Sequence, residues 1–314
     1  VVTTTPPQDV RAAHDLTAPA GPVPGTTSPS DAPGPTASSG GPTTAAPPVP
    51  VLARAWAVSW RPIAFTVVVV AAWWLVTAQG WVKPYILPSP ADTWHALTDN
   101  GSYLLSNTWV TTYETVIGFV IAVLVGELVA VVMVYSRGVE RTLYPIVLVA
   151  QVVPKIAIAP LFVVWLGFGP APKITVAVLM AFFPVVVSGL AGLRSVDPEI
   201  IELTSTMGAG RARTFLKVRL PASLPQLMSG LKVAATLAVT GAVVGEFVGG
   251  NEGLGYVILQ ANGTVNTAML FAALIIMSLL GIVLFMLIQL AERLLIPWHA
   301  SQRDGGGAAT IPGA

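Results

Sequence analysis

Cysteine is absent from all 314 residues, which excludes disulfides, thiolate zinc sites and cysteine nucleophiles. Charge is scarce: Asp, Glu, Lys and Arg together make up 10% of the chain, against about 25% in an ordinary soluble domain. Histidine occurs only as His14, His95 and His299, too scattered for a metal cluster, so no metal or other cofactor is expected. The five lysines follow Val82, Pro154, Pro172, Leu216 and Leu231, never glycine. The Gly-Lys-Ser/Thr phosphate loop is therefore missing, and the chain does not hydrolyse ATP by that chemistry. It also lacks a His-Glu-x-x-His zinc site and a convincing Gly-x-Ser-x-Gly elbow, so nothing points to an intramembrane enzyme.

What remains is strongly apolar. Hydrophobic residues make up 54% of the chain and mean hydropathy is +0.74, the signature of an integral membrane protein. The first fifty residues dilute that average, holding 12 of the 27 prolines amid Thr, Ser, Ala and Gly. Such a segment cannot bury enough apolar surface to offset its ordering entropy, so residues 1–55 are expected to be a disordered tail and 299–314 a flexible one. The opening has no basic start followed by an apolar run and is not expected to be a signal peptide.

A helix needs roughly 20 mainly apolar residues to cross a bilayer, and six runs qualify. They lie at about 63–80, 115–135, 144–166, 174–193, 233–249 and 269–291. The fold class is therefore all-α and polytopic, in a domain spanning 60–298. Lys and Arg set the orientation. With the N-terminus inside, the inner segments collect thirteen of them, from Arg11, Arg54 and Arg61 through Arg137, Arg141, Arg194 and the basic run around Arg211 to Arg293 and Arg303. The outer segments keep only Lys83 and Lys173, so both termini are expected to be cytoplasmic.

That places a long loop, 194–230, on the inner face. Asp197-Pro198-Glu199 reads as an N-cap, a first-turn proline and a favourable first-turn acid. The helix it starts carries Ile200, Ile201, Leu203 and Met207, and Gly208 and Gly210 can end it in a left-handed conformation. A second short helix from Arg211 to Val218 is expected to stop at Leu220-Pro221. Helices this small, with an exposed apolar stripe, need something to pack on. A plain loop resting on lipid headgroups is the alternative.

Several motifs in this frame resemble one family. Glu202-Leu203-Thr204, Gly208 and Val218-Arg219-Leu220-Pro221 are similar to the coupling loop of the permease subunit of bacterial ATP-binding cassette importers, Glu-Ala-Ala, then Gly, then Ile-x-Leu-Pro. The two alanines are replaced by Leu203 and Thr204, and Val218 stands for Ile. Leu87-Pro88-Ser89-Pro90, Pro154-Lys155-Ile156-Ala157 with Pro160-Leu161, Trp165-Leu166-Gly167-Phe168-Gly169, and Glu246 followed by Gly253-Leu254-Gly255-Tyr256 narrow the likeness to the nitrate, sulfonate and taurine type, which includes transporters of thiamine precursors and riboflavin. The resemblance covers about 60–298. It implies a type I importer permease in the bacterial inner membrane, paired with a second copy, docked on cytoplasmic ATPase subunits and served by an extracytoplasmic binding protein. No nucleic acid partner is expected.

Ionisable groups inside spans are functional candidates by default. Glu246, near the outer end of the fifth span, is read either as a pathway or gating residue or as a carboxylate capturing backbone donors of the following glycine-rich loop. Glu127, mid-way along the second span, shares it with Gly118, Ala122 and Gly126, whose spacing suggests a close helix contact. It is read as buried there or as touching substrate. Gln151, Pro154, Lys155 and Pro160 mark a third span expected to be broken where it borders the pathway, with Lys155 alternatively facing the cytoplasm. Lys155 as the only lysine within a span leans the solute slightly towards an anion. The loop from Gly249 to Thr267 reads as a soft apolar segment that docks a partner, dips towards the pore or seals the dimer. Trp60, Trp73, Trp74, Trp81 and Trp298 read as interfacial anchors. The rival reading is an ion-coupled transporter relaying protons through Glu127, Lys155 and Glu246. It requires related halves, which the sequence does not show.

Overall fold

A computed structural model describes residues 51–297, with side chains from 60 onward. The expected disordered tail, the C-terminal tail and Trp298 lie outside the described residues, apart from the tail's last positions, 51–55, which are helical. The chain divides between Val58 and Ser59 into two units. Only residues 51–58 of the first are described, and the helix bundle belongs to the second.

Eleven α-helices and one π turn account for the described secondary structure, with no strand among the described residues. They are α1 (Val51–Ala78), α2 (Pro90–Asp99), α3 (Gly101–Tyr135), α4 (Arg137–Val152), α5 (Lys155–Leu166), α6 (Pro170–Leu193), α7 (Pro198–Thr206), α8 (Arg211–Thr214), the π turn Phe215–Arg219, α9 (Leu220–Gly249), α10 (Leu254–Gly263) and α11 (Thr267–Leu295). Five helices are long and apolar enough to cross a membrane, six if the bent pair α4–α5 is one span.

Small residues let α3 and α9 approach α6, which sits between them. Gly118, Ala122 and Gly126 are buried, as their spacing predicts, and a Cβ on Gly118 would lie 2.6 Å from that of Ala177. On the other side, a Cβ on Gly241 would lie 2.6 Å from the Ala177 Cα. Apolar burial between membrane helices gains little over lipid, so close backbone packing of this kind holds the bundle. The large exposed residues of α1 and α11, such as Phe65, Val67, Leu279 and Met286, present apolar surface of the sort lipid covers.

The third span is broken as expected, by a 97° bend between α4 and α5. Pro154 bars its predecessor from the helical region, and Val153 sits at φ −60°, ψ 130°. Two expectations need correction. Leu220-Pro221 does not stop a helix: the chain is helical without interruption from Arg211 to Gly249. Pro221 falls in the first turn of α9, and the Leu220 N–H reaches back to the Phe215 carbonyl, so the widened turn absorbs the proline's missing donor and bulky ring. The Gly249–Thr267 segment is not a soft loop either. It contains α10, whose Leu254, Val257, Ile258 and Ala261 are buried.

The second span is also longer than its apolar part. α3 begins at Gly101, and within its polar first half Thr108 and Thr112 satisfy their hydroxyls on carbonyls one turn back. Trp73 does more than anchor: its indole N–H donates to the Pro88 carbonyl at 2.9 Å and its ring packs on Phe271. Pro88 thereby helps position α2, which Ser89 and Asp92 start with a reciprocal capping box.

Candidate functional site

Two sites stand at opposite ends of α6. At its C-terminal end lies the segment carrying Glu202 to Pro221. Asp197 caps α7 by accepting the Glu199 N–H at 3.0 Å. Gly208, at φ +76°, closes it: the Gly208 N–H donates to the Ser205 carbonyl and the Ala209 N–H to the Thr204 carbonyl, each at 3.0 Å. This is a Schellman motif, which needs a residue free to adopt the left-handed region. Gly210 is extended at φ −67° and instead precedes α8.

α7 buries none of its side chains. Ile200, Leu203 and Met207 are 48%, 60% and 78% exposed and follow one another at helical spacing. Glu202 is exposed beside them, while Thr204 is half-buried and donates its hydroxyl to the Ile201 carbonyl at 2.8 Å. Val218, Leu220 and Pro221 are half-buried where the π turn runs into α9. The short helix thus offers an apolar ridge with a carboxylate next to it and is fixed mainly through its two ends.

At the other end, where α3 and α6 begin and α9 ends, is a buried polar cluster. Glu246 is fully buried. Its carboxylate accepts the Thr111 hydroxyl at 2.6 Å and the Gly255 N–H at 2.5 Å. Thr111 accepts the Leu254 N–H at 2.8 Å, and the Asn107 side-chain carbonyl accepts the Gly253 N–H at the same distance. Glu246 itself accepts one backbone donor of the glycine-rich segment, and Thr111 and Asn107 accept the two before it. The glycines have physical reasons: Gly253 holds φ +110°, and a Cβ on Gly255 would lie 2.7 Å from a Glu246 carboxylate oxygen.

Lys173 and Glu114 complete the cluster. The Lys173 ammonium donates to Glu114 at 2.8 Å and to the Glu252 carbonyl at 3.1 Å, and both side chains of the ion pair are buried. One Glu114 carboxylate oxygen and the Thr115 hydroxyl have no partner among the described residues. Two cavities open beside it and share Val110, Asn251 and Glu252. One, of about 290 Å³, is walled by Tyr113, Glu114 and Lys173; the other, of about 300 Å³, by Tyr103, Asn107 and Tyr256.

Sequence reasoning missed this cluster apart from Glu246, having placed Lys173 among ordinary outer-loop charges and Glu114 just before its span. A signal was present: Asn107, Thr111 and Glu114 recur at helical spacing on one face of α3.

The remaining candidates lie apart. Gln151, Pro154 and Pro160 are exposed around the α4–α5 bend. Lys155 donates to the Gln151 carbonyl at 2.8 Å and lies 4.8 Å from the Phe183 ring centre. Glu127 has both carboxylate oxygens buried and unpartnered among the described residues, and it packs with Ala130 of the same helix against Gly189 of α6. It lies sixteen residues along α3 from Thr111, roughly 24 Å. Among the described residues no direct hydrogen bond joins Glu127 or Lys155 to Glu246.

Comparison with known proteins places this arrangement. Residues 116–297 match the family described as "Binding-protein-dependent transport system inner membrane component". The chain is 36% identical over 230 residues to the formylaminopyrimidine transport permease protein ThiX of Halalkalibacterium halodurans, a match covering 73% of this chain and 92% of that one. It is 35% identical over 230 residues to the riboflavin transport system permease protein RibX of Chloroflexus aurantiacus, covering 72% and 85% respectively. In fold it is similar to a chain of the MetNI methionine ABC transporter in an inward-facing conformation, with a TM-score of 0.55 at 22% identity, over 64% of this chain and 97% of that chain.

Proposed function

The chain belongs to the family of binding-protein-dependent transport system inner membrane components, and on that premise we propose that it forms the translocation path for a small polar organic solute and takes its energy from a separate ATPase docked on α7. It is a multi-pass ABC importer permease and not an enzyme. The observation that carries the docking assignment is the apolar ridge Ile200, Leu203 and Met207, exposed on a capped helix that buries nothing in this chain. A second copy of the chain, cytoplasmic ATPase subunits and an extracytoplasmic binding protein complete the assembly. The α7 end faces the cytoplasm, where Arg211, Arg213, Lys217 and Arg219 gather. ATP-driven closure of the paired ATPases rotates the α7 ridges and, through the unbroken Arg211–Gly249 helix, moves the bundle.

The solute is a small polar or anionic organic molecule of the kinds named for this chain's relatives, among them formylaminopyrimidine, riboflavin and aliphatic sulfonates. Lys155 bonds a backbone carbonyl and faces an aromatic ring, and Lys173 is paired with Glu114.

The test is Gly208→Asp in the full chain co-expressed with its ATPase. A Cβ meets nothing within 4 Å there, so the variant inserts normally. Strain of roughly 1 kcal/mol in the left-handed region and bulk at the docking turn weaken ATPase co-purification and abolish ATP-dependent uptake. Parental levels of both would remove α7 from the coupling role.

A further inference from the structure

Beside α7 lies a third cavity, of about 330 Å³ and open to solvent, lined by Tyr135 at the end of α3, Ile201 and Ser205 of α7, and Arg211, Thr214 and Arg219. No carboxylate lines it. Arg219 is half-buried, stacked 6.0 Å from the Tyr135 ring centre, and neither it nor Arg211 has an ion pair among the described residues. The Ser205 and Thr214 side chains make no hydrogen bond to other described groups. Arg211, exposed, and Arg219, half-buried, both line this cavity with no carboxylate between them, so like charges face one another there. A phosphate offsets them, because a guanidinium fork donates to its oxygens in pairs.

We propose that this cavity holds the phosphate of an anionic phospholipid, seated between α7 and the bundle. The choice of a lipid rests on what leads away from it. Tyr135, Val132 and Leu128 are 47%, 43% and 63% exposed and lie along one face of α3, starting at the cavity wall. That stripe gives an acyl chain an apolar track into the bilayer from a headgroup held by Arg211 and Arg219. The lipid also supplies support that α7 lacks, since the helix buries no side chain of its own. Its seating sets the angle at which the ridge of Ile200, Leu203 and Met207 is presented. The proposal rests on the reading that α7 lies at a membrane surface, but not on the ATPase.

Native mass spectrometry of the purified full-length chain, titrated separately with phosphatidylglycerol, phosphatidylcholine and inorganic phosphate, tests it without any transport assay. The expected result is preferential binding of phosphatidylglycerol over phosphatidylcholine by about thirtyfold, from two basic side chains that each favour the anionic lipid. The Arg211→Gln/Arg219→Gln double variant loses this preference. Arg213→Gln/Lys217→Gln removes equal charge from exposed positions that do not line the cavity, and it retains the preference. Equal loss in both double variants reduces the effect to general surface charge and overturns the proposal. So does inorganic phosphate that displaces the lipid at comparable concentration, which marks a free-anion site. Unchanged lipid preference in the Arg211/Arg219 variant, with or without loss of ATPase co-purification, also overturns it and assigns those arginines elsewhere.

Discussion

Lys173 and Glu114 form a buried ion pair at 2.8 Å that ties the first turn of α6 to the polar half of α3, while the same ammonium holds the Glu252 carbonyl of the loop before α10. One lysine therefore connects three segments that are far apart in the chain. Around it, Glu246, Thr111 and Asn107 satisfy three consecutive backbone N–H groups from Gly253 to Gly255.

Removing one partner of a buried pair leaves the other charge uncompensated. Lys173→Met should lower stability by about 3–5 kcal/mol, while Lys173→Met/Glu114→Leu should recover much of that loss, since paired apolar replacements are often neutral. Thermal unfolding in detergent measures both. A single variant as stable as the parent would show that the pair does not hold α3 to α6.

Glu246 acts as acceptor at both oxygens. Glutamine keeps one acceptor and turns the other towards the Thr111 hydroxyl or the Gly255 N–H as a second donor. Glu246→Gln should cost about 1–3 kcal/mol by leaving a buried donor unpaired. Hydrogen exchange should rise first at Gly253–Gly255. Uniform protection with unchanged stability would count against the loop-capturing role.

Glu127 has no partner for either oxygen among the described residues. An apolar side chain avoids that desolvation cost, so Glu127→Leu should raise stability by about 1 kcal/mol or more with uptake largely intact. Glu127→Gln should also transport. Severe uptake defects in both variants at normal expression would instead require the carboxyl for transport.

The contact of α9 with α6 leaves no room at Gly241, where a Cβ would meet the Ala177 Cα at 2.6 Å and the Val176 carbonyl at 2.9 Å. Both obstacles are backbone, so the helices must separate. Gly241→Val should destabilise by about 1–3 kcal/mol or more and reduce the folded yield. Gly281→Val, at a position with open space, should not. Equal yields for the two variants would refute the close approach.

Features that depend on local chemistry were legible along the chain. Apolar run length fixed the spans, because the bilayer demands it. Pro154 broke the third span through its effect on Val153, and Asp197, Pro198 and Gly208 bounded α7, because caps are made by neighbouring residues. The spacing of Gly118, Ala122 and Gly126 gave the close face of α3 for the same reason. Where these local signals met longer-range ones, reading along the chain failed. Pro221 looked like a stop, but a widened turn with an N–H bond five residues back carries the helix through it. The polar cluster came from packing between distant segments. Lys173 and Glu114 are fifty-nine residues apart and Thr111 and Glu246 one hundred and thirty-five. No local pattern states that charges so separated share one buried site. Their pairing follows from the glycine-lined contacts that bring α3 and α9 against α6, and it is that packing which turns scattered polar residues into a cluster.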